Sequence, residues 1–146
     1  MVVPLVAAST SLVFGALSLL HVYWATGGQW ASGVVVPELR GNPVSHPGKA
    51  VMLFVAFLLG VACVLVGLEA DLWRYESVPR WMPHVGTWVI GAVMFVRFVG
   101  DFRYVGLFKR VRGTRFARLD TFLYSPLCLV LATSSATVAL ARAHAG

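Results

Sequence analysis

The chain contains few charged residues, and this scarcity argues against a soluble protein. Only 12% of its 146 residues are charged, whereas soluble globular domains average about 25%. Acidic residues are the scarcest, with six against twelve lysines and arginines, so the formal net charge is +6. Hydrophobic residues make up 58% of the sequence. This composition predicts an integral membrane protein.

Cysteines and recognisable catalytic motifs are also sparse. The chain holds two cysteines, Cys63 and Cys128, and neither belongs to a CxxC pair, which argues against thiol–disulfide exchange. It contains no G-x-G-x-x-G, no phosphate-binding G-x-x-x-x-G-K-[ST], no H-E-x-x-H and no nucleophile elbow. The four histidines fall at different predicted depths in the membrane. We therefore expect no metal site, no haem and no other cofactor.

Long apolar runs dominate what the sequence does contain. A membrane-spanning helix needs about 20 mainly apolar residues, and four runs meet this requirement: about 3–24, 50–68, 85–108 and 119–140. Together they occupy most of residues 1–146, which predicts a single domain. We therefore predict an all-α, multi-pass protein of the cell membrane, built as a four-transmembrane-helix bundle.

The distribution of basic residues predicts an orientation. Five of them crowd the connection before the fourth run: Lys109, Arg110, Arg112, Arg115 and Arg118. The positive-inside rule places such a connection in the cytoplasm, and an even number of spans then puts both termini on the outer side. These bases are not interleaved with stacking aromatic residues, so we expect membrane lipids as partners and no nucleic acid.

Small residues recur at helical spacing in the first two runs. The first run aligns Ala7, Ser11, Phe14, Ser18 and His21, and the second aligns Ala56, Gly60, Cys63 and Gly67. Small side chains let helix backbones approach closely in lipid, where no hydrophobic drive brings helices together. We predict that these stripes face the interior of the bundle.

The third run carries ionisable residues where hydrocarbon is expected. On a helix, Arg97, Asp101 and Tyr104 share one face, and Arg97 would lie about 12 residues from the outer end, near the midplane. A charge at that depth costs a few kcal/mol. We therefore predict that Arg97 pairs with Asp101 within about 4 Å. Arg103 points elsewhere, and we expect it to reach the inner phosphate layer or another helix.

Polar residues of the other runs are predicted to lie at a similar depth. Tyr23 and Trp24 follow the histidine of the first run, and Pro126 frees the carbonyl of Phe122 in the fourth run from its helical hydrogen bond. Alternating helix directions would gather one set of side chains in a pocket in the cytoplasmic half: His21, Arg97, Asp101, Tyr104, Asp120 and Tyr124. The alternative interpretation is a buried charge network that only fixes helix register.

Three classes of function stay open for such a pocket. The first is binding of an amphiphilic small molecule, such as a lipid or isoprenoid. The second is a small membrane enzyme with Asp101 or Asp120 as proton donor or acceptor and His21 as its partner. The third is a structural or accessory subunit that forms a homo-oligomer or docks on another membrane protein. The residues predicted to bind the amphiphile are Arg97, Tyr104, Tyr124, Tyr23, Trp24 and Arg103.

Two stretches carry a resemblance to a known family. The sequences HVYWATGG (His21–Gly28) and GDFRYVGLFKRVRGTRFARLDTFLYSPLCL (Gly100–Leu129) resemble those of a family of small four-span bacterial membrane proteins catalogued as a domain of unknown function. The resemblance covers nearly the full length of the chain. It implies the four-span architecture and implies no reaction.

Overall fold

The computed structural model describes residues 2–30, 38–39, 42–43, 48–73, 75–100, 105–110 and 114–145. Within them, four helices are long and apolar enough to cross a membrane, so the predicted all-helical, four-span architecture is confirmed. The spans are α1 (Val2–Ala25), α2 (Lys49–Glu69), α3 (Trp81–Val99) and a fourth span, Arg115–His144. A two-residue antiparallel pair, β1 (Glu38–Leu39) with β2 (Asn42–Pro43), lies between α1 and α2.

The third span ends earlier than its apolar run predicts. α3 stops at Val99, where Gly100 adopts φ 89° and ψ −173°, a region that essentially only glycine occupies. Phe108 lies in a non-helical connection, so the prediction of one helix over 85–108 is wrong at its end. Arg97, which was predicted to lie near the middle of this span, lies in the last turn of α3.

The fourth span begins after an N-cap at Thr114, a few residues before its apolar run, and contains an irregular turn. Thr114 Oγ1 accepts the Ala117 N–H at 3.0 Å, which satisfies one free donor of the first turn. Pro126 has no N–H to donate to the Phe122 carbonyl, and the irregular turn ends at Tyr124, two residues before this proline. The span consists of α4 (Arg115–Leu119), a π-helical turn (Asp120–Tyr124) and α5 (Ser125–Ala145).

The small-residue stripes of α1 and α2, which were predicted to face the interior of the bundle, face each other. The Ser18 hydroxyl donates to the Ala56 carbonyl at 2.7 Å, and a methyl group added at Gly60 would lie 3.4 Å from the same hydroxyl oxygen. A methyl group added at Gly15 would lie 3.5 Å from Cys63 Sγ. Later residues of α1 therefore meet earlier residues of α2, so the two helices pack closely and antiparallel.

The remaining spans continue the alternation of direction. His84 near the start of α3 lies 2.7 Å from Glu69 at the end of α2, and Arg97 near the end of α3 reaches Asp120 at the start of the fourth span. The end of the bundle where α1 and α3 finish is called the Asp120 end below. The opposite end, where α2 finishes, is called the Glu69 end.

The sides of the bundle are apolar, as a lipid environment requires. Phe14 and Val66 are fully buried in the core, with Leu131 2% exposed. Leu12 and Leu19 of α1, by contrast, are 74% and 72% exposed. Contact between leucine side chains this exposed and water costs free energy, whereas their contact with the hydrocarbon of a bilayer is favourable.

Candidate functional site

Asp120 lies at the centre of a polar cluster at the Asp120 end. It is 0% exposed, and both carboxylate oxygens accept hydrogen bonds. Oδ1 accepts from Arg97 Nη2 at 3.1 Å. Oδ2 accepts from the Gly106 N–H at 2.8 Å, from Lys109 Nζ at 3.0 Å and from Ser125 Oγ at 3.3 Å. Donors thus occupy about as many positions as a carboxylate can offer.

Lys109 is the residue of this cluster whose role the sequence analysis missed. It is 4% exposed, and its ammonium donates to Asp120 Oδ2, to the Gly106 carbonyl at 3.2 Å and to Thr121 Oγ1 at 2.7 Å. An ammonium has three donors, and these contacts use all of them. The sequence places Lys109 in a run of bases, and nothing in that run distinguishes it from exposed Arg110.

Two glycines bring the connection after α3 back onto the fourth span. Gly100 and Gly106 both have φ 89°, and a Cβ added at Gly106 would lie 2.4 Å from the Gly100 Cα. The Leu107 N–H donates to the Phe98 carbonyl at 2.9 Å. This close backbone contact, which side chains would prevent, places the Gly106 N–H and Lys109 against Asp120.

Arg97 has hydrogen-bonding capacity that the described residues do not use. Its Nη2 donates to Asp120, whereas its Nη1 is buried and has no hydrogen-bond partner among the described residues. A buried donor without a partner costs about 1–3 kcal/mol. Two cations, Arg97 and Lys109, face one carboxylate, which leaves positive charge in excess among the described residues of the cluster.

The structure brings together part of the predicted pocket. Arg97 and Asp120 meet, and Tyr124 lies one helical turn beyond Asp120 with its ring 6.0 Å from that of Phe116. The predicted residues Asp101, Arg103 and Tyr104 lie outside the described residues. The predicted pairing of Arg97 with Asp101 therefore stays a prediction.

The predicted residues of α1 make their described contacts within their own segment. His21 Nδ1 lies 2.8 Å from the Leu17 carbonyl oxygen, and its ring lies 5.2 Å from that of Trp24. Trp24 Nε1 donates to the Trp30 carbonyl at 2.8 Å, and the Tyr23 hydroxyl accepts the Trp30 N–H at 3.4 Å. No described contact joins any of these side chains to Arg97 or Asp120.

Exposed apolar side chains flank the cluster. Phe122 and Leu123, in the π-helical turn that begins with Asp120, are 79% and 52% exposed. Leu107 and Phe108, next to Lys109, are 51% and 57% exposed. Buried charge is therefore flanked by exposed side chains that favour hydrocarbon.

The chemistry of the cluster is that of one carboxylate held by hydrogen-bond donors. Among the described residues, no group of three or more histidine, cysteine, aspartate or glutamate side chains is arranged to hold a metal ion. Every contact to the Asp120 oxygens comes from a donor, as an ionised carboxylate requires. The carboxylate therefore positions the Arg97 guanidinium and the Lys109 ammonium.

Comparison with known proteins identifies a family. Residues 14–135 match a family described as a protein of unknown function, DUF3995. Both motifs that carry the resemblance, His21–Gly28 and Gly100–Leu129, lie within the matched residues. No curated protein and no solved structure matches the chain.

Proposed function

Since the chain belongs to the family of unknown function DUF3995, we propose its function from its own site: it binds the anionic head group of a membrane amphiphile at Arg97. The buried Nη1 of Arg97, which has no partner among the described residues, is the observation that carries the proposal. The Arg97 side chain is 34% exposed, so an anionic head group can approach the guanidinium, and an oxygen that it places within hydrogen-bonding distance of Nη1 would satisfy this donor.

The chemistry of the guanidinium favours a phosphate or carboxylate. Arginine presents its N–H groups in a planar fork that bonds such groups through two parallel hydrogen bonds. Asp120 holds the Nη2 side of the fork from within the bundle, so the guanidinium orientation is fixed before a ligand arrives. A side chain oriented in advance loses less entropy on binding.

The position of the cluster favours an amphiphile over a soluble anion. Arg97 lies in the last turn of a helix long enough to span the membrane, and the end of a span is where the lipid head groups lie. The exposed apolar residues of the flanking turn, Phe122 and Leu123, would contact the apolar part of the same ligand.

The geometry gives less support to acid–base catalysis by Asp120. Its side chain has no exposed surface, and four donors occupy its oxygens. A general acid or base must come within hydrogen-bonding distance of the proton that it transfers. We therefore assign Asp120 a positioning role in the proposed site, with Arg97 as the residue that contacts the ligand.

Replacing Arg97 with glutamine is expected to weaken binding of an anionic lipid about 10- to 100-fold. This range corresponds to the free energy that one charge-assisted hydrogen bond contributes. The measurement is native mass spectrometry of delipidated protein in detergent, titrated with phosphatidylglycerol. The matched control is Arg115→Gln, because Arg115 is an exposed base near the same end with no described contact to Asp120.

A stability measurement and a second variant are needed to interpret the phosphatidylglycerol titration of Arg97→Gln. A thermal melt of Arg97→Gln shows whether the variant is folded, and the Arg97→Lys variant keeps the charge while it removes the fork. We expect intermediate affinity for Arg97→Lys. Equal phosphatidylglycerol affinity in the wild type, Arg97→Gln and Arg115→Gln would show that the lipid binds without the site and would overturn the proposal.

We also propose that the Asp120 end faces the cytoplasm, with both termini outside. The exposed bases Lys49, Arg110, Arg115 and Arg118 lie at this end, as the positive-inside rule expects for the cytoplasmic side. In a background with Cys63 and Cys128 replaced by serine, a membrane-impermeant maleimide should label His144→Cys in intact cells and Arg110→Cys only after lysis. The reverse labelling order would refute this orientation.

A further inference from the structure

A cleft lies at the Glu69 end of the bundle, at the opposite end from the Arg97 site. We propose that it binds a phospholipid with a zwitterionic head group, an ammonium and a phosphate, and that one acyl chain of this lipid lies in the groove between α1 and α2. This proposal does not depend on the anionic-lipid site. It rests on a polar cleft and an apolar groove that share one wall, Trp73.

The cleft has a volume of about 480 Å³ and is lined at the ends of α2 and α5 and along the connection to α3. Two of its acids already have partners. Glu69 is 2% exposed, and its Oε1 lies 2.7 Å from His84 Nδ1. Asp71 pairs with Arg142, which ties the connection to the end of α5. These pairs fix the walls of the cleft.

One acid and one base of the cleft are left for a ligand. Glu76 and Arg80 line the cleft and are exposed, and neither has an ion pair among the described residues. A zwitterionic head group presents the complementary pair of charges: its ammonium matches Glu76, and its phosphate matches the Arg80 guanidinium. An anionic head group without an amine would leave Glu76 without a cation.

Aromatic side chains of the cleft favour the ammonium. Trp73 and Tyr75 both line it, and an ammonium over an aromatic face is attracted by the negative charge of the ring. The Trp73 ring is held against α2, because a Cβ added at Gly67 would lie 2.1 Å from a Trp73 ring carbon. A ring fixed in this way loses little entropy when a ligand binds to it.

The groove that Trp73 also lines suits an acyl chain. It has a volume of about 590 Å³ and is lined by small and apolar residues of α1 and α2, including Ala8, Gly15 and Gly60. Ser11 lies in its wall, is 3% exposed and has a hydroxyl without a hydrogen-bond partner among the described residues. Because Trp73 borders both spaces, a head group in the cleft and a chain in the groove can belong to one molecule.

The test is competition between lipids that differ only in the head group. Delipidated protein in detergent is mixed with equal amounts of phosphatidylethanolamine and phosphatidylglycerol of identical acyl chains, and bound lipids are counted by native mass spectrometry. We expect the wild type to retain phosphatidylethanolamine at this site, and Glu76→Gln to bind it about tenfold more weakly, since a charge-assisted contact is lost. Trp73→Ala should lose it as well, because the shared wall is removed.

Two variants serve as controls. Trp81→Ala removes an aromatic side chain that is 65% exposed and lines neither space, so it should bind like the wild type. Arg97→Gln should lose phosphatidylglycerol and keep phosphatidylethanolamine, which separates failure of this proposal from failure of the first. Glu76 is exposed, so Glu76→Gln tests the site without disturbing the core. An unchanged phosphatidylethanolamine-to-phosphatidylglycerol ratio in Glu76→Gln would show only annular lipid and overturn the inference.

Discussion

Asp120→Asn is expected to lower the free energy of unfolding by about 3–5 kcal/mol, the cost of removing one partner from a buried ion pair. The substitution leaves Lys109, 4% exposed, without the carboxylate that compensates its charge, and Arg97 loses the same partner. Unfolding by sodium dodecyl sulfate in mixed micelles, followed by circular dichroism, measures the effect.

The matched control for this prediction is Asp71→Asn at the opposite end. Asp71 also pairs with an arginine, but both side chains of that pair are about 30% exposed, and exposed ion pairs contribute about 0–1 kcal/mol. Asparagine also tolerates the positive φ of residue 71, which is 56°. Equal destabilisation by the two substitutions would contradict the central role of Asp120.

A second variant tests whether uncompensated charge is the cause. Adding Lys109→Met to Asp120→Asn removes the buried ammonium together with its carboxylate, so the double variant should be more stable than Asp120→Asn alone. If the double variant is less stable by the sum of the two single effects, Lys109 contributes through its contacts to Gly106 and Thr121 and charge compensation is not the reason.

Gly106→Ala is expected to be the other strongly destabilising substitution. Its φ of 89° costs an L-residue about 1–2 kcal/mol. The added methyl group would lie 2.4 Å from the Gly100 Cα and 2.5 Å from the Val99 carbonyl oxygen, and forced overpacking costs about 1–3 kcal/mol more. Both collisions are with backbone, which cannot rotate away as a side chain can. The same unfolding titration measures the total.

The control for this substitution separates strain from collision. Gly27 also has a positive φ, 100°, but an added Cβ there would meet nothing within 4 Å. Gly27→Ala should therefore cost about 1–2 kcal/mol only. Trypsin provides a second readout, because displacement of the connection in Gly106→Ala should expose the bond after Lys109 to cleavage. Similar stability and similar cleavage of both variants would contradict the close contact of the two glycines.

Local patterns in the sequence were sufficient for much of the fold. The apolar runs predicted four spans because a helix in hydrocarbon needs a nearly continuous apolar surface. The stripes that contain Ser18 and Gly60 predicted which faces of α1 and α2 are turned toward the bundle interior, since close packing in lipid needs small residues. Each of these signals depends on neighbours within one or two helical turns.

The sequence did not determine where the third span ends or which base is buried. Apolar residues continue past Gly100 in the sequence, and glycine can adopt either sign of φ, so the sequence does not show that Gly100 and Gly106 meet with positive φ. That contact brings Lys109 and the Gly106 N–H to Asp120, which follows them in the sequence by eleven and fourteen residues respectively. A connection that folds back onto the preceding helix depends on contacts made in the packed structure, and local sequence patterns do not encode these contacts. The sequence by itself determined the number of spans and the inward faces of α1 and α2, because these depend on local apolar and small-residue patterns, whereas the end of α3 and the partners of Asp120 were decided only by tertiary structure.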